Sequence, residues 1–438
     1  MHHLRHEYNG RGNLFLEEHI EKKNPIHLFE KWYQAGKGDP KTVEPNAVFL
    51  TSCTKDGYPS GRVVLLKRFG KEGFTFSPHF NSRIGNDFEE NPKAALTFYW
   101  EHFSRSVRVE GDVEKASLSE GEENFRKRPY EHQIAALLSD QSQPAESRKD
   151  LQKKGSELMQ QFKIGEVPKP SQWGAYLLRP HLIEFWQGQT DRLHDRIRFR
   201  IPKEGEPDNV LTKQGLQRGF QGGGKLLLEE EIIKKDPSDL FRKWYEEVKE
   251  DPRTEEPTAM YLSTCTKDGV PSGRLVLLNE FGAEGFKFFT HYISRKGQEL
   301  KENPRAAITF NWIHFSREVR VEGDVEKLPD DVSDVVFSQR PYFRQIGTLS
   351  SNQSKPVASR DVLVDRERRL KKHFKEGRVP RPDFWGGYLL KPKIFEFWQG
   401  HADHLHDRIR FRFPVSNEPD GVLTKQGENG WIYERLYP

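Results

Sequence analysis

The sequence predicts a mainly β protein with flanking helices, arranged as two barrel domains in one chain. Three observations lead there. A chain of 438 residues exceeds one ordinary domain and suits two of about 200 residues each. Its segments repeat at one offset. TSCTKDGYPSGRVVLL at 51–66 returns as STCTKDGVPSGRLVLL at 263–278, SRSVRVEGDVEK at 104–115 as SREVRVEGDVEK at 316–327, and VPKPSQWGAYLLRP at 167–180 as VPRPDFWGGYLLKP at 379–392. The spacing is 212 positions in each case (51 to 263), which fits a duplicated domain and is far too long for a solenoid. Finally, each copy carries many short apolar runs punctuated by Gly, Pro and Asp.

The seam is legible. LTKQG at 211–215 matches LTKQG at 423–427, but only the second continues into ENGWIYERLYP. The first runs into LQRGFQGGGKLLLEE, an echo of LRHEYNGRGNLFLEE near the start. Copy one is therefore expected to span 1–215 and to lack a C-terminal strand. Copy two spans 216–438.

Within copy one the elements follow in order. NPIHLFEKWYQAG places Leu28, Phe29, Trp32 and Tyr33 at helical spacing. AVFLTSCT and RVVLLKRF flank the turn KDGYPSG and predict a hairpin. AALTFYW, VRVEGDVEK, GAYLLRP, IEFWQG and LHDRIRFR complete an antiparallel set, with helices expected at about 82–90, 118–127 and 146–163.

Composition excludes several classes. With 70 basic against 66 acidic side chains the net charge is only +4, too small an excess for a nucleic-acid binder. No apolar run approaches the roughly 20 residues a membrane helix needs. The opening MHHLRHEYNG lacks the apolar core of a secretory signal, so a cytoplasmic protein is expected. Cys53 and Cys265 occupy matching places and read as small buried strand residues, not a disulfide framework.

Three constellations exceed what a barrel needs. The first is Arg62 to Lys67 with Ser82 and Arg83, answered in copy two by Arg274 to Asn279 with Thr290, Ser294, Arg295 and Lys296. Hydroxyls and cations at a helix start suit a phosphate, although a solvated helix N-terminus reads the same way. The second is RPYEHQIAALLSDQS at 128–142 and RPYFRQIGTLSSNQS at 340–354. The third is FWQGQTDRLHDRIRFR at 185–200 and FWQGHADHLHDRIRFR at 397–412, where Arg192, His194 and Arg196 share one strand face beside Trp186. His401, His404 and His406 invite a metal reading. Copy one keeps only His194 of these, and no Cys or carboxylate set accompanies them, so no metal is expected.

Together R-x-x-L-L-K, S-R-K, R-P…Q-I-G…Q-S and F-W-Q-G-x-x-x-R-L-H-D-R resemble the pyridoxine (pyridoxamine) 5′-phosphate oxidases, over essentially the whole chain and twice. The resemblance implies an FMN-binding split barrel working as a dimer, here two copies paired within the chain. It implies hydride transfer from C4′ of pyridoxine or pyridoxamine phosphate to the flavin, then reoxidation by oxygen, giving pyridoxal phosphate and hydrogen peroxide.

Carried over by position, the roles are unequal. The FMN groove matches Arg274, Thr290, Ser294, Arg295 and Lys296 in copy two, whereas copy one keeps Arg62, Ser82 and Arg83 but has Pro78 and Ile84 for the Thr and Lys. The lid over copy two's groove is expected from Gln141, Ser142, Trp186 and Arg196 of copy one, and the second lid from Gln353, Ser354, Trp398 and Arg408. A flavin-side glutamine of the family is Ser106 or Glu318. The substrate lysine matches Lys67 but is Asn279 in copy two, and the substrate tyrosine is Asn124 or Val336. The arginine survives as Arg128 and Arg340, and the serine is His132 or Arg344. The catalytic pair is Arg192 with His194, answered by His404 with His406. One working site is expected, with Arg192, His194, Arg340 and Arg344 around the substrate. The alternative is a protein that binds FMN or pyridoxal phosphate without turnover.

Overall fold

Asn24 and Asp236 begin the two copies in the same way. The Asn24 side chain accepts the backbone N–H groups of Ile26 and His27 at 3.0 and 3.2 Å, capping the helix Pro25–Gly38. Asp236 does this for Ser238 and Asp239 at 2.8 and 3.2 Å, starting Pro237–Glu250. The structure, a computed structural model, describes residues 24–189, 194–200, 234–254, 256–355, 357–401, 405–415 and 423–437, with positions 15, 20, 214, 215, 227 and 232. The expected helix face (Leu28, Phe29, Trp32 and Tyr33) is buried, and the Phe29 ring meets Phe69, Phe74 and Phe98 at 4.9, 5.1 and 4.8 Å.

That face plugs a barrel. In copy one the strands Ala47–Cys53, Pro59–Gly70, Gly73–Phe76, Lys93–Trp100, Arg105–Lys115 and Tyr176–Gln187 pair antiparallel. They close because Ala47–Cys53 bonds both Pro59–Gly70 and Lys93–Trp100. Gly111 marks the kink of the long strand: a Cβ there would come within 2.0 Å of the Arg179 carbonyl, beside the register shift at Glu110/Gly111. Asp195–Arg200 hangs on Tyr176–Gln187, setting Arg196 opposite Trp186.

Copy two repeats the plan with local differences. Its strand Pro271–Leu277 stops where copy one runs on, and Glu280–Gly282 resumes beyond Asn279. Beyond Asp407–Arg412 it adds Ile432–Leu436, paired in turn with Thr424–Gln426. The positions one repeat earlier, 220–224, lie outside the described residues. The expected helices lie at Arg83–Glu90, Leu118–Arg126 and Arg148–Gln161. A further one, Tyr130–Leu138, follows Arg128-Pro129 and buries Ile134 and Ala136; at nine residues it is too short for its periodicity to stand out.

Reciprocal contacts join the copies. Asn91 donates to the Gly269 carbonyl and Asn303 to the Gly57 carbonyl, each at 2.7 Å. Phe49 stacks on Tyr261 at 4.4 Å. Cys53 and Cys265 are wholly buried free thiols whose sulfurs lie 2.9 Å apart. Among the described residues no helix is long and apolar enough to cross a membrane.

Candidate functional site

The two helix starts that the sequence marks as anion sites are built alike. Ser82 and Ser294 are N-caps: each hydroxyl donates to a histidine carbonyl, His79 or His291, at 2.6 Å, and accepts from Gly85 or Gly297 at 3.3 Å. Beyond this shared frame the grooves differ.

In copy two the cations are ordered by one carboxylate. Glu299 accepts from Arg274 Nη2 at 3.1 Å, Arg295 Nε at 2.7 Å, Ser272 at 2.7 Å and Thr264. Arg274 also donates to the Leu262 carbonyl at 3.1 Å and to the Ser272 hydroxyl. Arg295 reaches across to Glu110 of copy one at 2.6 Å. Lys296 points inward, donating to Gln353 at 2.8 Å, Thr290 at 3.1 Å and Ser294 at 3.4 Å. Burial, reinforced by Arg274 and by Arg196 of the other copy, holds its pKa well below the ordinary lysine value. A lysine so placed, surrounded by hydroxyls and an amide, gains its charge most readily beside an anion.

In copy one the equivalent carboxylate is Asp87, one methylene shorter. It bonds Ser52 at 2.5 Å, while Nε and Nη2 of Arg62 are buried with no hydrogen-bond partner among the described residues. Burial, and then Arg320, lower the Arg62 pKa to about 9. Arg83 is paired with Glu322 of copy two at 2.7 Å. Ile84, in the place of Lys296, is 2% exposed and joins the apolar core. The Val63 N–H donates to Glu318 of copy two at 3.0 Å. Burial raises the Glu318 pKa to about 7, against the pull of that bond, Arg320 and Arg62.

The lids are corrected by the structure. Gln353 bonds Lys296 and Thr290 of its own copy. Gln141 accepts from the His79 N–H of its own copy at 3.4 Å. Ser142 likewise lies at copy one's groove, accepting from Arg408 at 3.2 Å. Gln141 and Ser142 therefore do not close over copy two's groove, and Gln353 serves that groove from within copy two. The reason is chain reach: each Gln-Ser pair follows the short helix Tyr130–Leu138 or Tyr342–Ser350, which folds back on its own barrel. Ser142 and Ser354 hold left-handed φ of 72° and 73°, a sparsely populated conformation for a side chain with Cβ.

What crosses between copies is the strand pair. Arg196 meets Glu184 at 3.5 Å, and its field reaches Lys296. Burial would raise Glu184, but Arg108, Arg196 and Arg198 pull it down to about 2. Arg408 bonds Glu396 at 2.7 Å and the Tyr437 carbonyl at 2.9 Å, so the C-terminal strand of copy two buttresses its own lid. Trp186 lies 5.0 Å from His194, and Trp398 4.9 Å from His406. His194 Nδ1 accepts from the Gln189 N–H at 3.0 Å, so the neutral ring carries its proton on Nε2. Arg192 and His404 lie outside the described residues.

Arg340 donates to Thr348 at 2.9 Å, lies 4.8 Å from the Trp385 ring centre, and with burial and Lys296 lowers the His291 pKa to about 3. Arg344 sits one turn on, over Phe343 at 5.7 Å. Arg128 lies over Trp173 at 5.5 Å and has Ala136 where copy two has Thr348.

Sequence reasoning missed the carboxylates. Glu110, Glu322 and Glu299 fix groove arginines and Asp87 holds Ser52, while Asp195 and Asp407 take Arg360 and Arg148 of the opposite copy at 2.6 and 2.9 Å. Their signal was present, since each recurs as an acid in both copies.

Comparison with known proteins gives a consistent result. The family described as "Pyridoxamine 5′-phosphate oxidase" matches at residues 41–161 and 246–373. "Pyridoxine 5′-phosphate oxidase C-terminal dimerisation region" matches at 173–217 and 385–438. A pyridoxine-5′-phosphate oxidase of Bos taurus is 43% identical over 225 residues, 51% of this chain and 86% of its own length. A pyridoxine/pyridoxamine 5′-phosphate oxidase of Bombyx mori is 44% identical over 229 residues, 51% of this chain and 88% of its own. The crystal structure of PhzG from Burkholderia lata 383 with tetrahydrophenazine-1-carboxylic acid aligns at TM-score 0.43 and 27% identity, over 50% of this chain and all of that one.

Proposed function

The chain belongs to the pyridoxamine 5′-phosphate oxidase family, and from that premise we infer that it oxidises pyridoxine or pyridoxamine 5′-phosphate to pyridoxal 5′-phosphate while oxygen is reduced to hydrogen peroxide. The observation that carries the reading is Lys296, a buried lysine whose partners among the described residues are Thr290, Ser294 and Gln353, beside a capped helix start.

FMN is the cofactor we assign, and the groove of copy two fits it. A dianionic phosphate needs several cations and donors at one place, and Arg274, Thr290, Ser294, Arg295 and Lys296 gather there. Gln353 bonds Lys296 and Thr290 there, the field of Arg196 reaches Lys296 from copy one, and Ser354 and Trp186 are assigned to the same site by their place in the repeat. Bound FMN supplies the hydride acceptor and passes the electrons to oxygen. The chain supplies position. Arg340 grips the substrate phosphate, with Arg344 a second cation on the same helix. Arg192 and His194 hold the substrate ring from the other copy, His194 offering an N–H at Nε2.

The domains we assign are 1–215 and 216–438, paired like the two subunits of a dimer. The ion pairs Arg295–Glu110, Arg83–Glu322, Arg148–Asp407 and Arg360–Asp195 support that pairing. The rival reading, a binder without turnover, draws on Asn279 in place of the substrate lysine. Pyridoxine phosphate added to purified yellow protein decides between them: peroxide release supports the oxidase, and bound flavin without peroxide overturns it.

A further inference from the structure

The strands Asp195–Arg200 and Asp407–Arg412 are the same six residues, DRIRFR, yet they are covered differently. In copy two Ile432–Leu436 lies antiparallel on the outer edge of Asp407–Arg412. Glu434 takes Arg410 and Arg412 at 2.5 Å each, and Arg435 takes Asp407 at 2.7 Å. Tyr433 packs on Phe411 at 5.5 Å, and Ile409 and Phe411 are wholly buried. The same strand then runs on across copy one. The Ala145 N–H donates to the Arg435 carbonyl and the Tyr437 N–H to the Gln143 carbonyl, each at 2.8 Å, and Ala145 is left 3% exposed.

In copy one this edge carries no strand among the described residues: Asp195–Arg200 pairs with Tyr176–Gln187 alone. Arg196, Arg198 and Arg200 are exposed, and Ile197 and Phe199 are only half-buried. Arg198, the counterpart of Arg410, turns back to Glu184 at 3.1 Å. The loop of copy two that matches Gln143–Ala145 is brought to this edge by Arg360, which holds Asp195 at 2.6 Å as Arg148 holds Asp407 at 2.9 Å. There Val357 stands in the place of Ala145 and is 47% exposed, with Lys355 and Ala358 exposed beside it. Both halves of the seat that holds Ile432–Leu436 therefore occur a second time, with no strand seated among the described residues. An open edge presents a row of backbone donors and acceptors to which another extended chain adds as a strand.

We propose that the edge Asp195–Arg200, continued by Lys355 and Val357, is a docking site for an extended segment of a partner protein, added as an antiparallel strand. The seat states the chemistry of its occupant, because DRIRFR is unchanged between the copies. A fitting segment carries an acid to pair with Arg198 and an aromatic residue beside it to cover Phe199, as Glu434 and Tyr433 do in copy two. The C-terminal strand of a second copy has that pattern, but it uncovers its own seat on leaving, so exchange between chains adds no contact. A separate protein adds one.

The probe is a fluorescein-labelled peptide of residues 428–438, ENGWIYERLYP, followed by fluorescence anisotropy against the full flavin-loaded chain. It should bind saturably, one per chain. Arg198→Glu with Val357→Asp, both on the exposed surface, should weaken it by about tenfold or more in a chain with native circular dichroism. A peptide carrying Glu434→Arg should fail on the unaltered chain and recover on Arg198→Glu. No binding, the result if another part of this chain covers the edge, overturns the proposal. Binding that the double variant leaves unchanged also overturns it, since the peptide would then be displacing the strand of copy two. Sedimentation velocity of the peptide-free chain should show no dimer held through this edge. A dimer that the peptide dissolves would make a second copy the occupant and overturn the assignment to a separate protein.

Discussion

The two grooves share a backbone plan almost strand for strand and differ in how their buried charges are balanced. In copy two Glu299 reaches both Arg274 and Arg295, and Lys296 stands ready in a nest of neutral acceptors. In copy one Asp87 is a methylene short, Arg62 has no hydrogen-bond partner on two nitrogens among the described residues, and Ile84 and Glu318 stand where copy two has Lys296 and copy one Ser106. A homodimer must change both of its sites together. A fused pair can alter one and keep the other, so each groove is free to take its own ligand.

Breaking the intact groove gives the largest effect. Lys296→Ile copies the copy-one residue and should empty the protein of flavin. A charge-assisted contact is worth roughly 1.5–3 kcal/mol, or about 10- to 150-fold in affinity. Flavin absorbance per chain after gel filtration measures this, and retained flavin would show that Lys296 is not its phosphate contact.

Comparing Arg192→Ala with His404→Ala is the next sharpest test. Turnover should fall severely in the first and hardly change in the second, because a guanidinium fork is not replaced by imidazole. Equal losses in steady-state rates would mean that both sites work.

Arg340→Ala should raise KM for the substrate by roughly 10- to 150-fold, with a smaller rise for Arg344→Ser. If Arg344→Ser tightens binding, Arg344 is not a helper for the missing lysine.

Repairing the other groove is the converse experiment. Ile84→Lys, Pro78→Thr and Glu318→Gln together should take FMN from one to two per chain in a titration of apoprotein. Two equal tight sites in the unaltered chain would dissolve the asymmetry.

The smallest effect concerns pH. Glu318 is held protonated up to about 7 in the fold, against an ordinary 4.5. The unfolded chain therefore releases this proton first as pH rises. Its contribution to stability is fully present below about 4.5 and is lost as pH climbs through 7, by at most ~3 kcal/mol. Glu318→Gln should flatten the urea-midpoint profile across that window, and an unchanged slope would place the titration elsewhere.

The sequence alone determined the duplication, the barrel strands and the first helix of the copy, because each is written in local pattern: a repeat offset, an alternation, a helical spacing of apolar residues. It also marked the unequal grooves, since Pro78, Ile84 and Asn279 sit at identifiable repeat positions. Only the tertiary structure decided which residues share a pocket. Gln141 and Gln353 were matched to the wrong groove because a residue's place in a motif carries no record of which barrel its loop folds back upon. The acids that fix the arginines were likewise invisible as a set. Arg295 and Glu110 are distant in the chain and adjacent in space, and a charge pair of that kind exists only once two surfaces have been brought together.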